Sequence, residues 1–246
     1  MAKRKRNVRI TPAIDFELEL GGLFDLAGKT AFLPGGYGGL GEAIAWGLAQ
    51  RGVRVAIAGR ERSKAAALVR SLKAAGHAAL ALSLDATRVA DIRRAVGNVV
   101  AAFGTVDVLV NCVGTQIEAA FDRVYAVNLK SAMFLAQAVA KAQIAAGRGG
   151  KQIHLLSVRA QLGLRDRGYS AYCSTKGGLA MLVKQHALEL APHGITVNGI
   201  APTFVYTEMI RHVMENPRFR RELHRRIPLG RIADPKDVVG SVLFFA

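Results

Sequence analysis

TAFLPGGYGGLGEAIAWGLAQR, residues 30–51, runs from an apolar stretch of strand length through a glycine-rich turn into a helical pattern. TAFL (30–33) is the strand and Leu40 to Arg51 the helix. Between them Gly35, Gly39 and Gly41 are spaced G-x-x-x-G-x-G. Glycine lets a backbone turn tightly and approach a pyrophosphate, whose charge then faces the positive end of the helix. Position matters as much as composition: the same glycines elsewhere make an ordinary flexible loop. Here they follow the first strand and open the first helix, the context a dinucleotide site requires. Gly35, Gly39, Leu40 and Gly41 are therefore candidate cofactor contacts.

The pattern repeats along the chain. RVAIA (54–58), AALALSL (78–84), VDVLVNC (106–112), QIHLL (152–156) and ITVNGI (195–200) read as strands. Helical stretches follow them at 62–75, 88–103, around 119–146 and around 170–191. Continuous apolar runs mark strands buried on both faces, which parallel sheets covered by helices contain. The expected fold is α/β: one doubly wound parallel sheet with helices on both faces. Gly147, Gly149 and Gly150 are expected to end the fourth helix. No internal repeat or low-complexity segment interrupts the alternation.

The end of the second strand reads IAGRER. An acidic residue there would hydrogen-bond a ribose 2′-hydroxyl and favour NAD. Gly59 stands in its place and Arg60 follows, and an arginine can pair with a 2′-phosphate. NADP is expected, with NAD the alternative.

YCSTK (172–176) sets a phenol four residues before an ammonium, on one helical face. The cation is expected to lower the Tyr172 pKa and make it a usable acid or base.

The charge balance, 34 Lys+Arg against 18 Asp+Glu, gives a formal +16. The surplus is dispersed except at KRKR (3–6) and RFRRELHRRIPLGR (218–231), and no interleaved aromatics mark a base-stacking surface, so nucleic acid is not expected as a partner. No apolar run has the length and flanks of a membrane span. The basic start has no apolar stretch behind it and is not a secretory signal. Cys112 and Cys173 lack metal or redox spacing, and a reduced, cytoplasmic protein is expected.

Taken in order, the glycine turn, NCVG (111–114), VNL (127–129), Ser157 and Y-x-x-x-K resemble the short-chain dehydrogenase/reductase family across about residues 26–246. Residues 1–25 form an N-terminal extension. The resemblance implies a single-domain Rossmann fold, commonly tetrameric, that interconverts a secondary alcohol and a ketone by hydride transfer with NAD(P). Carried over, Tyr172 is the catalytic acid/base, Lys176 its pKa-lowering partner and ribose contact, Ser157 a donor to the substrate oxygen, and Asn128 the anchor of a proton-relay water. Asp85 lies near the adenine, Asn111 and Gly114 line the cofactor turn, and Pro202, Val205 and Thr207 pack on the nicotinamide.

Several positions depart from the family pattern. Pro34 replaces a usual threonine and removes a backbone donor, so bonding near Asn111 must differ. Only 14 positions separate Gly114 from Asn128, a short stretch for the family. Ser157 precedes Tyr172 by 15, two more than is common, suggesting an insertion within QLGLRDRG. The sequence stops at SVLFFA, where a loop and last strand are expected to follow. The arginine-rich region 204–231, with Arg211, His212, Arg218, Arg220, Arg221, Arg225 and Arg226, is expected to form a mobile basic lid for an anionic small-molecule ketone or alcohol. The stretch from Tyr172 to Thr203 resembles gluconate-type dehydrogenases, implying a sugar acid. A 3-oxoacyl-(acyl-carrier-protein) reductase is the alternative enzyme, and a non-catalytic dinucleotide-binding regulatory module the alternative of another class.

Overall fold

The apolar runs become strands whose side chains alternate between two covered faces. In the computed structural model, which describes residues 22–116, 118, 120–164 and 168–246, six strands form one sheet. They are β1 (Thr30–Pro34), β2 (Arg54–Gly59), β3 (Ala79–Ser83), β4 (Val108–Asn111), β5 (Gly150–Leu155) and β6 (Ile195–Ile200). Their order is β3-β2-β1-β4-β5-β6, and every pair is parallel. The order reverses between β1 and β4. Ligands of such sheets bind at that switch point, beyond the carboxyl ends of the strands.

Alternate residues supply separate cores. Ala31, Leu33, Val55 and Ile57 pack against α1 (Gly39–Ala49), α2 (Arg62–Ala74) and α9 (Pro235–Phe245) through Ile44, Leu48, Leu68, Leu72 and Val242. Phe32, Ala56 and Leu109 face the other way, against Ile92, Val96 and Val99 of α3 (Val89–Phe103) and Leu135 and Val139 of α5 (Ser131–Ala146). α6 (Ser170–Leu190) covers β6 on the side of Ile195 and Val197. Gly147 ends α5 in the left-handed conformation, as its composition predicts.

The stretch expected as one helix around 119–146 is not continuous. α4 (Phe121–Tyr125) passes into a π-helical turn over Ala126–Lys130, and α5 then resumes the ordinary pitch. A π turn adds a residue to the helical circuit and re-aims the side chains it carries. Asn128 sits in that turn, buried, and its amide bonds Thr115 and Thr175, both outside its own helix. These long-range bonds fix the local distortion.

α7 (Glu208–Met214) and α8 (Pro217–Arg226) form a small outlying unit. Ile210, Met214 and Leu223 are its buried residues, packed with Phe204, Phe219, Ile227 and Ile232. Asn216 caps α8 by accepting from the backbone N–H groups of Arg218 and Phe219.

Candidate active site

Gly38 precedes α1 without any side-chain cap; the Gly41 N–H turns back to Gly38 O, and those of Gly39 and Leu40 are left unbonded among the described residues. Gly39 has φ +36°, and a Cβ there would lie 2.8 Å from Cγ2 of Thr207. A Cβ on Gly41 would sit 2.7 Å from the carbonyl oxygen of Gly35. The turn is thus closed by backbone packing that no side chain could enter. The unbonded N–H groups of Gly39 and Leu40 and the helix dipole suit a pyrophosphate, so the residues present fit a dinucleotide.

At the edge of β2 the ring of Tyr37 occupies the space a side chain at Gly59 would need, and its hydroxyl accepts from the N–H of Glu61. Nothing in the sequence marked Tyr37, because the contact spans 22 residues of chain. Arg60 is exposed beside this ring. Asp85, beyond β3, accepts from the N–H and hydroxyl of Thr87. Those bonds hold its carboxyl below the usual range, and Arg60 adds to the effect.

Asn111 ends β4. Its Oδ1 accepts from Val113 N–H, and its Nδ2 lies 3.3 Å from His154 Nδ1. His154 is the partner that the sequence reading missed, and the β4–β5 register sets the two side by side. Burial drives the His154 pKa down to about 3, so it is neutral. Asn111 then donates to Nδ1, and Nε2 carries the proton. A Cβ on Gly114 would lie 3.8 Å from Asn128 Oδ1 and 3.9 Å from Lys176 Nζ, which brings these three residues together.

An open cleft lies over the carboxyl ends of the strands. Leu40, Ser157, Tyr172, Pro202, Val205 and Thr207 all line it. The Tyr172 hydroxyl faces the side chains of Ser157 and Gln116, both of which favour its ionised form. The long spacing between Ser157 and Tyr172 therefore does not separate them; residues 165–167, where an insertion is expected, lie outside the described residues. Gln116 was not foreseen either. It belongs to the short stretch after Gly114, whose course depends on tertiary contacts.

Glu118, in the same stretch, accepts from the N–H groups of Ala171 and Tyr172 at 2.9 and 2.8 Å. A carboxylate thereby caps α6 from more than 50 residues away and complements its dipole at the turn that carries Tyr172.

Lys176 is buried beneath Tyr172. Its Nζ donates to Leu155 O at 2.7 Å and sits 5.7 Å from the centroid of the Tyr172 ring. The spacing thus shares a face, as expected, but the pKa expectation is overturned. Burial raises the Tyr172 pKa, and the side chains of Ser157 and Gln116 only oppose that. Burial also lowers Lys176 to about 8. Desolvation is the largest cause for each group, and neither registers the other's charge.

The basic lid needs a similar correction. Arg211, Arg218, Arg220, Arg221, Arg225 and Arg226 are exposed, and Arg211 and Arg226 pair with Glu208 and Glu222. None of them lines the cleft, whereas apolar Phe204 and Ile210 do. An amphipathic helix turns its apolar stripe inward. The His212 side chain lies outside the described residues. Among the described residues the charged side chain that does line the cleft is that of Arg159.

A family model described as Enoyl-(Acyl carrier protein) reductase matches residues 36–246. The chain is 36% identical over 239 residues to a sorbitol dehydrogenase from Cereibacter sphaeroides, covering 90% of this chain and 91% of that protein. The chain belongs to the short-chain dehydrogenase/reductase family. A 5-keto-D-gluconate 5-reductase from Escherichia coli (strain K12) is 33% identical to this short-chain dehydrogenase/reductase over 232 residues, 91% of this chain and 90% of the relative. Among solved structures, a gluconate 5-dehydrogenase from Burkholderia cenocepacia J2315 in complex with NADP and tartrate superposes with a TM-score of 0.86 at 33% identity, covering 91% and 89% of the two chains. This short-chain dehydrogenase/reductase is accordingly an oxidoreductase acting on CH–OH groups with NAD(P).

Proposed function

We propose that the enzyme interconverts the ketone and secondary alcohol of a sugar acid with NADP(H), in the manner of a gluconate 5-dehydrogenase. One observation carries the chemistry: the hydroxyls of Ser157 and Tyr172 meet on the cleft wall with Lys176 buried behind them. The glycine turn, Pro202, Val205 and Thr207 would hold a nicotinamide cofactor, which would supply or accept the hydride. Ser157 and Tyr172 donate to the ketone oxygen as negative charge grows there, which is where stabilisation lowers the barrier. Tyr172 then delivers its proton. Its raised pKa keeps it protonated in the resting enzyme, and Lys176 holds positive charge near the phenolate that forms. Asn128 braces Thr115 and Thr175 around Lys176 and is assigned the relay water. Asp85, Asn111 and Gly114 are assigned to the cofactor side.

The NADP preference is supported by Arg60 at the open edge and by the Tyr37 ring in the acid's place. The sugar-acid reading is supported by the relatives named for keto-gluconate and gluconate chemistry, one of them holding a dicarboxylate. Residues 26–246 are assigned to the catalytic domain and 1–25 to an extension. A cytoplasmic homotetramer is proposed. Exposed Met133 and Ile144 of α5 and Met181 and Leu188 of α6 supply apolar surface for self-association.

Assays with NADPH against 5-keto-D-gluconate, neutral ketoses and acetoacetyl thioesters test the reading. The keto acid is expected to give the highest kcat/KM, and Tyr172→Phe to lower kcat at least a hundredfold with NADPH affinity near wild type. Preference for the thioesters overturns the sugar-acid assignment. Turnover preserved in Tyr172→Phe overturns the chemistry.

A further inference from the structure

We infer that Arg159 is the carboxylate-binding residue of the substrate cleft. The inference rests on the sugar-acid reading and gives it a specific anchor.

Arg159 is the one charged side chain lining the cleft among the described residues; most of its neighbours there, including Leu155, Val158, Leu164 and Phe204, are apolar. A cation with one side on such a wall favours an anionic partner. None of the ion pairs among the described residues engages it. The cationic head is held in place all the same. Nη1 donates to Leu162 O at 3.2 Å and Gly163 O at 2.6 Å. The Arg159 N–H donates to Ser157 Oγ at 3.2 Å, fixing the backbone two residues beyond the serine that meets Tyr172. A guanidinium has five N–H donors. Two carbonyls take those of Nη1, and the edge formed by Nε and Nη2 keeps the paired geometry that matches a carboxylate. A loop staple alone would need only Nη1. The position beside Ser157, the apolar wall and the free edge together describe a pre-set anchor. A substrate whose carboxylate lies a few carbons from the reacting ketone satisfies it.

Calorimetric titration of the NADPH-loaded protein with D-gluconate and with D-sorbitol tests the assignment. The two ligands share a polyol chain and differ in the carboxylate. Arg159→Met is expected to weaken gluconate about ten- to a hundredfold relative to sorbitol, the range of one charge-assisted pair. Arg159→Lys is expected to fall between, since it keeps the charge and loses the fork. Equal loss for both ligands assigns Arg159 to loop packing and overturns the inference; so does unchanged gluconate affinity in Arg159→Met, or no gluconate binding to the wild type. The two readings fail separately. A wild type that reduces only neutral ketoses, with gluconate affinity still dependent on Arg159, removes the sugar-acid substrate and leaves the anchor. Undiminished 5-keto-D-gluconate reduction by Arg159→Met leaves the substrate and removes the anchor.

Discussion

A Cβ built on Gly59 would lie 2.2 Å from Cε1 of Tyr37 and 2.7 Å from its hydroxyl. The missing acid at the end of β2 is therefore more than an absent hydrogen-bond acceptor, because an aromatic ring fills its volume. Installing the acid is expected to fail unless the ring leaves. Gly59→Asp alone should weaken NADPH binding without gaining NADH, while Gly59→Asp with Tyr37→Ala should bind NADH at least tenfold tighter than the single variant. Fluorescence titration reads both. Equal NADH affinity in the single and double variants contradicts the steric account. The sequence showed the absent acid and Arg60, because the βα pattern locates the strand end. It could not show Tyr37, whose effect depends on the turn folding over β2. The same limit explains Tyr172 and Lys176. Their spacing was legible, but the burial that sets their pKa values comes from the loops and strands around them.

At the scale of elements, all six strands were legible because both faces of each inner strand are covered, so their apolar runs are unbroken. The break in the helix around Asn128 was not, since its cause lies in bonds to Thr115 and Thr175. The cap of α6 was equally hidden. Tyr169 at its N-cap makes no side-chain cap bond, and Glu118 serves two of its first N–H groups instead. That carboxylate holds the turn bearing Tyr172. Glu118→Ala is expected to cost about 1–2 kcal/mol of stability, as for loss of a strong cap. It should also lower kcat several-fold, by loosening the Tyr172 position. Glu118→Gln keeps an acceptor oxygen and should recover part of both. Urea unfolding and steady-state kinetics on the same preparations measure this; an unchanged kcat in Glu118→Ala shows that α6 holds Tyr172 without the cap.

For the molecule as a whole, the parallel sheet that builds the crevice also buries ionisable groups next to it. His154 on β5 is fully buried, with His186 and Lys176 of α6 facing it and Asn111 of β4 bonded to it. Burial, reinforced by His186 and the Lys176 ammonium, brings its pKa down to about 3 from the ordinary 6.5. The sign follows from proton counting. Between pH 6.5 and about 3 the unfolded chain binds a proton that the folded His154 refuses, so stability falls as pH falls through that window. Lys176, lowered to about 8, acts at the other end. Between about 8 and 10.5 the folded amine is already neutral while the unfolded one is charged, so its burial penalty, full below 8, is relieved as pH rises. His154→Asn keeps an amide beside Asn111 and removes the titrating ring. Relative to wild type it should gain stability on moving from pH 7 to pH 4.5, measured by urea unfolding at both values. Carboxylates elsewhere, such as Asp237 held near 2 by Arg231, contribute equally to both proteins and cancel in the difference. An identical acid dependence in the two would mean that the ring takes up its proton in the folded state, which requires the sheet to open at β5 or water to reach Nε2.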